Sequence, residues 1–237
     1  MAQRPVFDVP KSNEQLVQLY DYIYSNPDNL FHPHKGKLKP YGSHDDRDRT
    51  HLFMISKMIG ARVRYRPGKG TVLKGCDLSK ISVLDASCGR GHLLRTLLTM
   101  GFNAHGTEVS DYLLDNDLKY LPVAKATYDD INSVVQPESF DIVVTNDVLE
   151  HLLDEEMVSR AMSNLCDISK KWVSISVGLK GTAARKYPKA LGLNVERLHL
   201  FCKSKKWWYD YLHKFLKKVE VVPGRRASMG SFYGEKK

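Results

Sequence analysis

Three groups of residues have the types and spacing for ligand chemistry. The first is Asp85-Ala86-Ser87-Cys88-Gly89-Arg90-Gly91, where an apolar strand pattern passes through small residues straight into a helical pattern. Such a turn brings backbone N–H groups and a helix N-terminus close to a ligand, and Asp85 stands where a carboxylate reaches a polar ligand group. The second is Glu108, at the end of the next strand pattern. It follows the turn by about 20 residues, the spacing at which nucleotide-binding folds place the acid that holds a ribose. The third is Asn146-Asp147-Val148-Leu149-Glu150-His151-Leu152, at the carboxyl end of an apolar strand pattern. Open α/β sheets bind ligands at that end, beside the point where strand order reverses. His151 suits a general base because its ordinary pKa lies near neutrality; the alternative reading makes it a helix-start residue that shapes the site without chemistry.

These residues need a sheet to hold them. Strands are expected over Ile81–Asp85, Asn103–Glu108, Val123–Thr127, Phe140–Thr145 and Trp172–Val177. Helical patterns alternate with them, over Gly91–Met100 closed by Gly101, from Ser110 through Leu118, and over Asp154–Ser169. This alternation predicts a mainly parallel sheet covered on both faces. Ser204 is placed to cap a helix carrying Trp207, Trp208, Tyr211, Leu212, Phe215 and Leu216, followed by strands near Val219–Val222 and Ser228–Tyr233 around a Pro223-Gly224 turn. Trp207 and Trp208 are adjacent and cannot share a helix face, so one is expected in the core and the other partly exposed.

Upstream, Ser12-Asn13-Glu14-Gln15 reads as a capping box opening a helix through Leu16, Leu19, Tyr20 and Ile23. A second helix is expected over Asp46–Ile59. Between them, residues 27–43 read as a loop, basic with interleaved aromatics, either a solvated linker or a contact for an anionic substrate. Pro67-Gly68-Lys69-Gly70 lacks the spacing of a phosphate-binding P-loop and reads as a turn before the core.

The stretch Asp85–Gly91 resembles the glycine-rich first motif of class I S-adenosylmethionine-dependent methyltransferases, D-x-G-x-G-x-G, with Ser87 in place of the first glycine. Asn146–Leu152 resembles the D-V-L-E-H-L signature of methyltransferases that act on small molecules and on lipid or sugar substrates, and Ser139-Phe140-Asp141 resembles the family's lead-in to its fourth strand. The resemblance covers about Ile81 to Tyr233. It implies an α/β, doubly wound, mostly parallel seven-stranded sheet with an antiparallel last strand. Residues 1–70 would form an N-terminal helical extension and substrate-side loop, and 71–237 the cofactor-binding domain. It implies S-adenosyl-L-methionine as cofactor, with Asp85, Ala86, Ser87, Cys88, Gly89 and Gly91 at its methionine end. Glu108, with Val109 beside it, would hold the ribose. Asp129, or its neighbour Asp130, would meet the adenine amino group, and Asn146 and Asp147 would face the methionine part or the reacting centre. Methyl transfer to a small, anionic or glycan-like acceptor is expected, with His151 as the base for a hydroxyl and Glu150, His151 and His199 beside the acceptor. The chain lacks the N/D-P-P-Y/F motif of amino-methylating nucleic-acid enzymes and the Pro-Cys of cytosine-C5 enzymes.

Composition bounds the partners. The net charge of +9 over 237 residues favours an acidic one. Arg185, Lys186, Lys189, Arg197 and His199 make residues 178–200 basic, which suits a phosphate or carboxylate on the acceptor. The charge also keeps open an RNA or protein methyltransferase, and Ser87 a non-catalytic binding module of the same fold. The four cysteines, Cys76, Cys88, Cys166 and Cys202, are scattered, with neither metal-ligand spacing nor a disulfide framework, so no metal is expected. No apolar run is long enough to span a membrane and no signal-peptide core opens the sequence, which predicts a reducing, cytoplasmic setting.

Overall fold

The computed structural model describes residues 9–25, 30–34, 37–40, 48–66, 70–180, 198–223 and 228–237. The N-terminal part consists of α1 (Asn13–Ser25), a ribbon of β1 (Leu30–His34) and β2 (Lys37–Pro40), α2 (Asp48–Met58), and a hairpin of β3 (Arg62–Arg66) and β4 (Gly70–Lys74). The body follows with β5 (Ser82–Ala86), α3 (His92–Met100), β6 (Asn103–Glu108), α4 (Asp111–Asp115), β7 (Val123–Lys125), α5 (Ile131–Val134) and β8 (Phe140–Asn146). It closes with α6 (Glu155–Ile168), β9 (Ser169–Gly178), α7 (Lys205–Leu212), β10 (Leu216–Val222) and β11 (Met229–Lys236). No helix among the described residues is long and apolar enough to cross a membrane.

Seven strands form one sheet in the order β10-β11-β9-β8-β5-β6-β7. The pairs β5–β6, β5–β8, β6–β7 and β8–β9 are parallel, and β11 is antiparallel to both β9 and β10. The chain runs outward from β5 through β6 to β7, then returns to lay β8 on the other side of β5, with Ala86 opposite Thr145. That reversal puts a crevice between the carboxyl ends of β5 and β8, where doubly wound sheets bind ligands.

Alternation along the strands sorts side chains onto two apolar layers. Val83, Ile142 and Val144 pack with Leu93, Leu94 and Leu97 of α3 and with Leu52, Met54 and Ile55 of α2. On the other face, Leu84, Val143, Val173 and Ile175 pack with Val158, Met162 and Leu165 of α6, Trp208 of α7 and Leu16 of α1. Fully burying an aliphatic side chain of this size stabilises the fold by about 1.5–3 kcal/mol. Local capping sets the helix starts. Ser12 Oγ accepts from the Gln15 N–H, Ser110 Oγ from Leu113, Asp154 Oδ1 from Met157 and Ser204 Oγ from Trp207, each contributing about 1 kcal/mol. Trp208 is buried and Trp207 only partly so, as their adjacency predicts.

Three expectations are corrected. Residues 27–43 are not a continuous loop, because β1 and β2 pair antiparallel within them; strands of four or five residues carrying Pro33 and Pro40 give no readable alternation. The strands β3 and β4, not expected from the sequence, pair from Arg62↔Lys74 to Arg66↔Gly70; of the expected turn, residues 67–69 lie outside the described residues. The Trp-rich helix stops at Leu212, and Leu216 is the first residue of β10. The Lys214 and Phe215 N–H groups close the helix end onto Tyr211 and Leu212. Leu216 is then buried in a strand whose irregular register at Lys217–Glu220 contains the left-handed Lys218, a local break that makes the strand read as helical.

Candidate active site

The turn after β5 is held by the neighbouring strand. Ser87 N–H donates to Thr107 Oγ1 at 3.2 Å, Cys88 N–H to the Thr107 carbonyl at 2.8 Å, and Gly91 N–H to the Cys88 carbonyl at 2.9 Å. Ser87, Gly89 and Gly91 all have positive φ, of 58°, 54° and 71°. Glycine adopts that region freely, whereas a residue with a Cβ loses about 1–2 kcal/mol there. The conformation explains why glycine suits position 87 and why serine occupies it at a cost. A Cβ on Gly91 would lie 2.8 Å from Leu118 Cδ2, so that glycine is also required by packing.

Glu108 closes the turn from the side. Its carboxylate is 3% exposed and accepts from the Gly89 N–H at 2.8 Å, the Val109 N–H at 2.9 Å and the Ser110 N–H at 3.1 Å. Burial pushes its pKa up, and the three N–H donors oppose that shift. Asp85 is buried at the end of β5. Burial, then the charges of Asp85 and Glu108, hold the Cys88 thiol well above its ordinary pKa, so it is neutral and a poor nucleophile. Tyr128 bonds Thr145 Oγ1 at 2.6 Å and the Ala86 carbonyl at 3.3 Å, which pins β7's exit against the ends of β5 and β8.

A cleft opens over these groups, with about 670 Å³ of free space counting its mouth. One wall is α1, through Asn13, Leu16, Val17, Tyr20 and Tyr24. The opposite side is built from Ser87, Glu108, Val109, Thr127 and Tyr128, and the inner end from Asp147, Val148, His151 and Leu152. Asp147, at the mouth of β8, is a second non-glycine residue of the cleft at positive φ, 56°. Strained backbone at two adjacent strand ends, both lining one cleft, marks a functional site.

Residues 84–170 match the sequence model of a methyltransferase domain. They run from β5 to the start of β9 and contain both strained strand ends and Glu108. Over that stretch the chain is similar to a methyltransferase domain, and its seven-stranded fold is that of S-adenosylmethionine-dependent methyltransferases of known structure. Its fold matches that of magnesium protoporphyrin IX methyltransferase from Synechocystis PCC 6803, solved with S-adenosylmethionine bound (TM-score 0.60, 14% identity, 96% of this chain and 100% of that one). It also matches a protein from Pyrococcus horikoshii OT3 (TM-score 0.60, 12% identity, 83% and 92%). It is similar as well to the CurJ carbon methyltransferase (TM-score 0.54, 9% identity), over 69% of this chain but only half of that one. Among curated proteins, none matches the chain by sequence.

Within residues 84–170, the cleft brings together Ser87, Glu108, Val109, Asp147 and His151 from the residues singled out by sequence. Asp85, Ala86, Cys88, Gly89 and Gly91 form the turn and strand end behind that lining, and Asn146 ends β8 directly before Asp147. Asp129 and Asp130 are not among the lining residues. Asp129 accepts from Arg160 Nε at 3.1 Å and from Asn13 Nδ2 at 3.4 Å. Asp130 Oδ1 accepts from the Thr127 N–H at 2.6 Å and its hydroxyl at 2.7 Å. Thr127 and Tyr128 line the cleft at this point instead. Of the basic excursion, Arg185, Lys186, Lys189 and Arg197 lie outside the described residues; His199 is described.

The α1 wall was not legible as a site. Tyr20 and Tyr24 sit one turn apart beside the core positions Leu16, Leu19 and Ile23, and an i, i+4 tyrosine pair on an amphipathic helix is an ordinary pattern. Its hold on the domain is clear in three dimensions. Asp21 Oδ1 accepts from Ser110 Oγ at 2.6 Å and from the Tyr112 N–H at 3.0 Å, fastening α1 to the start of α4. Tyr24 Oη is the atom that a Cβ on Gly89 would meet, at 3.3 Å.

His151 Nδ1 lies 3.0 Å from the Leu198 carbonyl oxygen and 2.5 Å from Tyr20 Oη. The carbonyl only accepts, so it favours the tautomer with the proton on Nδ1 and the lone pair on Nε2. Glu150 is fully buried, its Oε1 accepting from the Gly178 N–H at 2.7 Å, and the His199 ring stands edge-on to His151 with centroids 4.7 Å apart.

Proposed function

We propose that this chain methylates a small, anionic or glycan-like acceptor, using S-adenosylmethionine held between the β5 turn and α1. The observation that carries the reading is that Ser87, Glu108, Asp147 and His151, from the three groups of residues singled out by sequence, line a single cleft. The residues fit the cofactor by the chemistry of their groups. Glu108 is a buried acceptor suited to paired sugar hydroxyls, Val109, Thr127, Tyr128 and Leu16 offer surface for a flat base, and the turn at Ser87 with Asp147 suits an amino-acid end. When bound, S-adenosylmethionine supplies a methyl group activated by a positive sulfonium.

The chain's own contribution is alignment and exclusion of water. The β5 turn and Glu108 fix one side, and α1 covers the other. Asp85, Ala86, Cys88, Gly89, Gly91 and Asn146 support that lining from behind. Asp129 and Asp130 act at one remove, by fixing Arg160 and Thr127. At the inner end, His151 meets the acceptor; with Nδ1 held by Leu198, its Nε2 lone pair is the one able to accept a hydroxyl proton. Residues 1–70 form the extension that supplies the α1 wall, and 71–237 the cofactor-binding domain.

Isothermal calorimetry with S-adenosylmethionine and S-adenosylhomocysteine tests the cofactor half, with micromolar affinity expected and absence of binding by either overturning it. Incubation with labelled cofactor and fractionated metabolites tests the acceptor half. Labelling confined to RNA or protein would replace the small-acceptor reading.

A further inference from the structure

We infer that Glu150, His151 and His199 form a binding site for one divalent first-row transition-metal ion at the inner end of the cleft. One donor atom from each lies within 4.8 Å of the other two. Metal bonds of about 2.0–2.2 Å set tetrahedral donors about 3.4 Å apart, so the three need close by no more than about 1.5 Å around an ion. The residues come from two remote segments, the turn after β8 and the chain leading to α7. Those segments are joined by backbone: the Phe201 N–H donates to the Glu150 carbonyl at 2.9 Å.

The surroundings have the form of a ligand cage. A metal-binding imidazole donates its other N–H to a carbonyl or carboxylate, which fixes the ring's orientation and tautomer. His151 does this through Nδ1 and Leu198. Glu150 is anchored through Oε1 to the Gly178 N–H, and its burial favours a nearby positive charge. Gly178 lets the groups converge, since a Cβ there would lie 2.8 Å from His199 Nδ1 and Cε1 and 2.9 Å from Glu150 Oε1. The rings of His151 and His199 meet at 81° rather than stacking.

Two imidazoles and one carboxylate favour zinc, manganese, iron or cobalt over magnesium and calcium, which prefer all-oxygen sites. Three protein ligands leave a position for water or for an acceptor oxygen. With the ion bound, His151 Nε2 is a ligand rather than a base. The ion then lowers the pKa of an acceptor hydroxyl, whose proton passes to water. The ion site stands on the three residues; its role toward the acceptor rests on the reading of the cleft given above.

The test uses the full chain, stripped with a chelator, dialysed and titrated with Co2+ at pH 7.5. One equivalent should bind, with visible ligand-field absorption. Glu150→Gln and His199→Ala should each weaken uptake at least tenfold, and Gly178→Ala should weaken it by displacing both side chains. Wild-type uptake should fall at least tenfold at pH 5.5, where imidazole ligands compete with protons. No stoichiometric uptake by wild type overturns the inference, as does uptake unchanged in the variants or at pH 5.5. S-adenosylhomocysteine calorimetry on the same samples separates the two readings: a wild type that binds it but no Co2+ loses only the metal site, and the reverse loses only the cofactor.

Discussion

The two halves of the cleft are built in different ways. The side formed by the β5 turn and the end of β6 comes from one continuous stretch, and its geometry is made by main chain: left-handed Ser87, Gly89 and Gly91, and a carboxylate caught by three N–H groups. The inner end and the α1 wall come from residues near 20, 150 and 200, and their geometry is made by side chains reaching across the fold: His151 to Tyr20 Oη and the Leu198 carbonyl, Glu150 to the Gly178 N–H. A site made of backbone leaves a motif, because few residues tolerate its dihedrals. A site made by side chains from distant segments leaves only isolated residue types.

The largest expected effect breaks the first half. Glu108→Ala orphans three N–H groups and removes the buried acceptor, so S-adenosylhomocysteine affinity should fall at least a hundredfold by calorimetry, about 3 kcal/mol. Unchanged affinity would mean that the cofactor does not use this side. The next effect concerns the packing of α2 against β9. His51 of α2 is fully buried, with Nδ1 3.0 Å from Ser174 Oγ, and burial lowers its pKa to about 4. The unfolded value is about 6.5, so between these pH values the unfolded chain binds more protons and stability falls as pH drops. Chemical denaturation should show a loss on the order of 2 kcal/mol from pH 7 to pH 5. His51→Gln should flatten that slope, and a slope unchanged in the variant would remove His51 as its source.

A smaller effect should separate the halves. Tyr20→Phe deletes the oxygen at His151 Nδ1 and leaves the β5 turn intact. Turnover should fall about three- to tenfold, the worth of roughly one hydrogen bond, while S-adenosylhomocysteine affinity stays within about twofold. An equal loss in both would show that α1 serves the cofactor as much as the acceptor. The smallest effect has the opposite sign. Ser87→Gly relieves a left-handed serine and should raise stability by up to about 1 kcal/mol, seen as a higher melting temperature.

The fold was largely legible because each βα unit carries its own period. The strand Asn103–Glu108, a strand opening at Phe140, and the caps at Ser110 and Ser204 fall where pattern and capping chemistry put them. The antiparallel β11 was foreshadowed by two strand patterns without an intervening helix. What was not legible depended on distance. Nothing in Asn13–Ser25 says that Tyr20 meets His151, and nothing near Thr127 says that Asp130 bonds it locally while Thr127 takes the lining position. The buried His51 was hidden for the same reason, since its partner Ser174 is 123 residues away.

The position of β11 has a consequence for the order of assembly. It is later in sequence than β10, yet it lies between β10 and β9, bonded to both. Until it inserts, β10 has no strand to pair with, and the apolar residues of β9 beside Phe232 lack their cover. The parallel core can form early, from contacts close in sequence. Completion of the sheet waits for the β10–β11 hairpin to lay β11 along β9, a non-local pairing that should follow the parallel core.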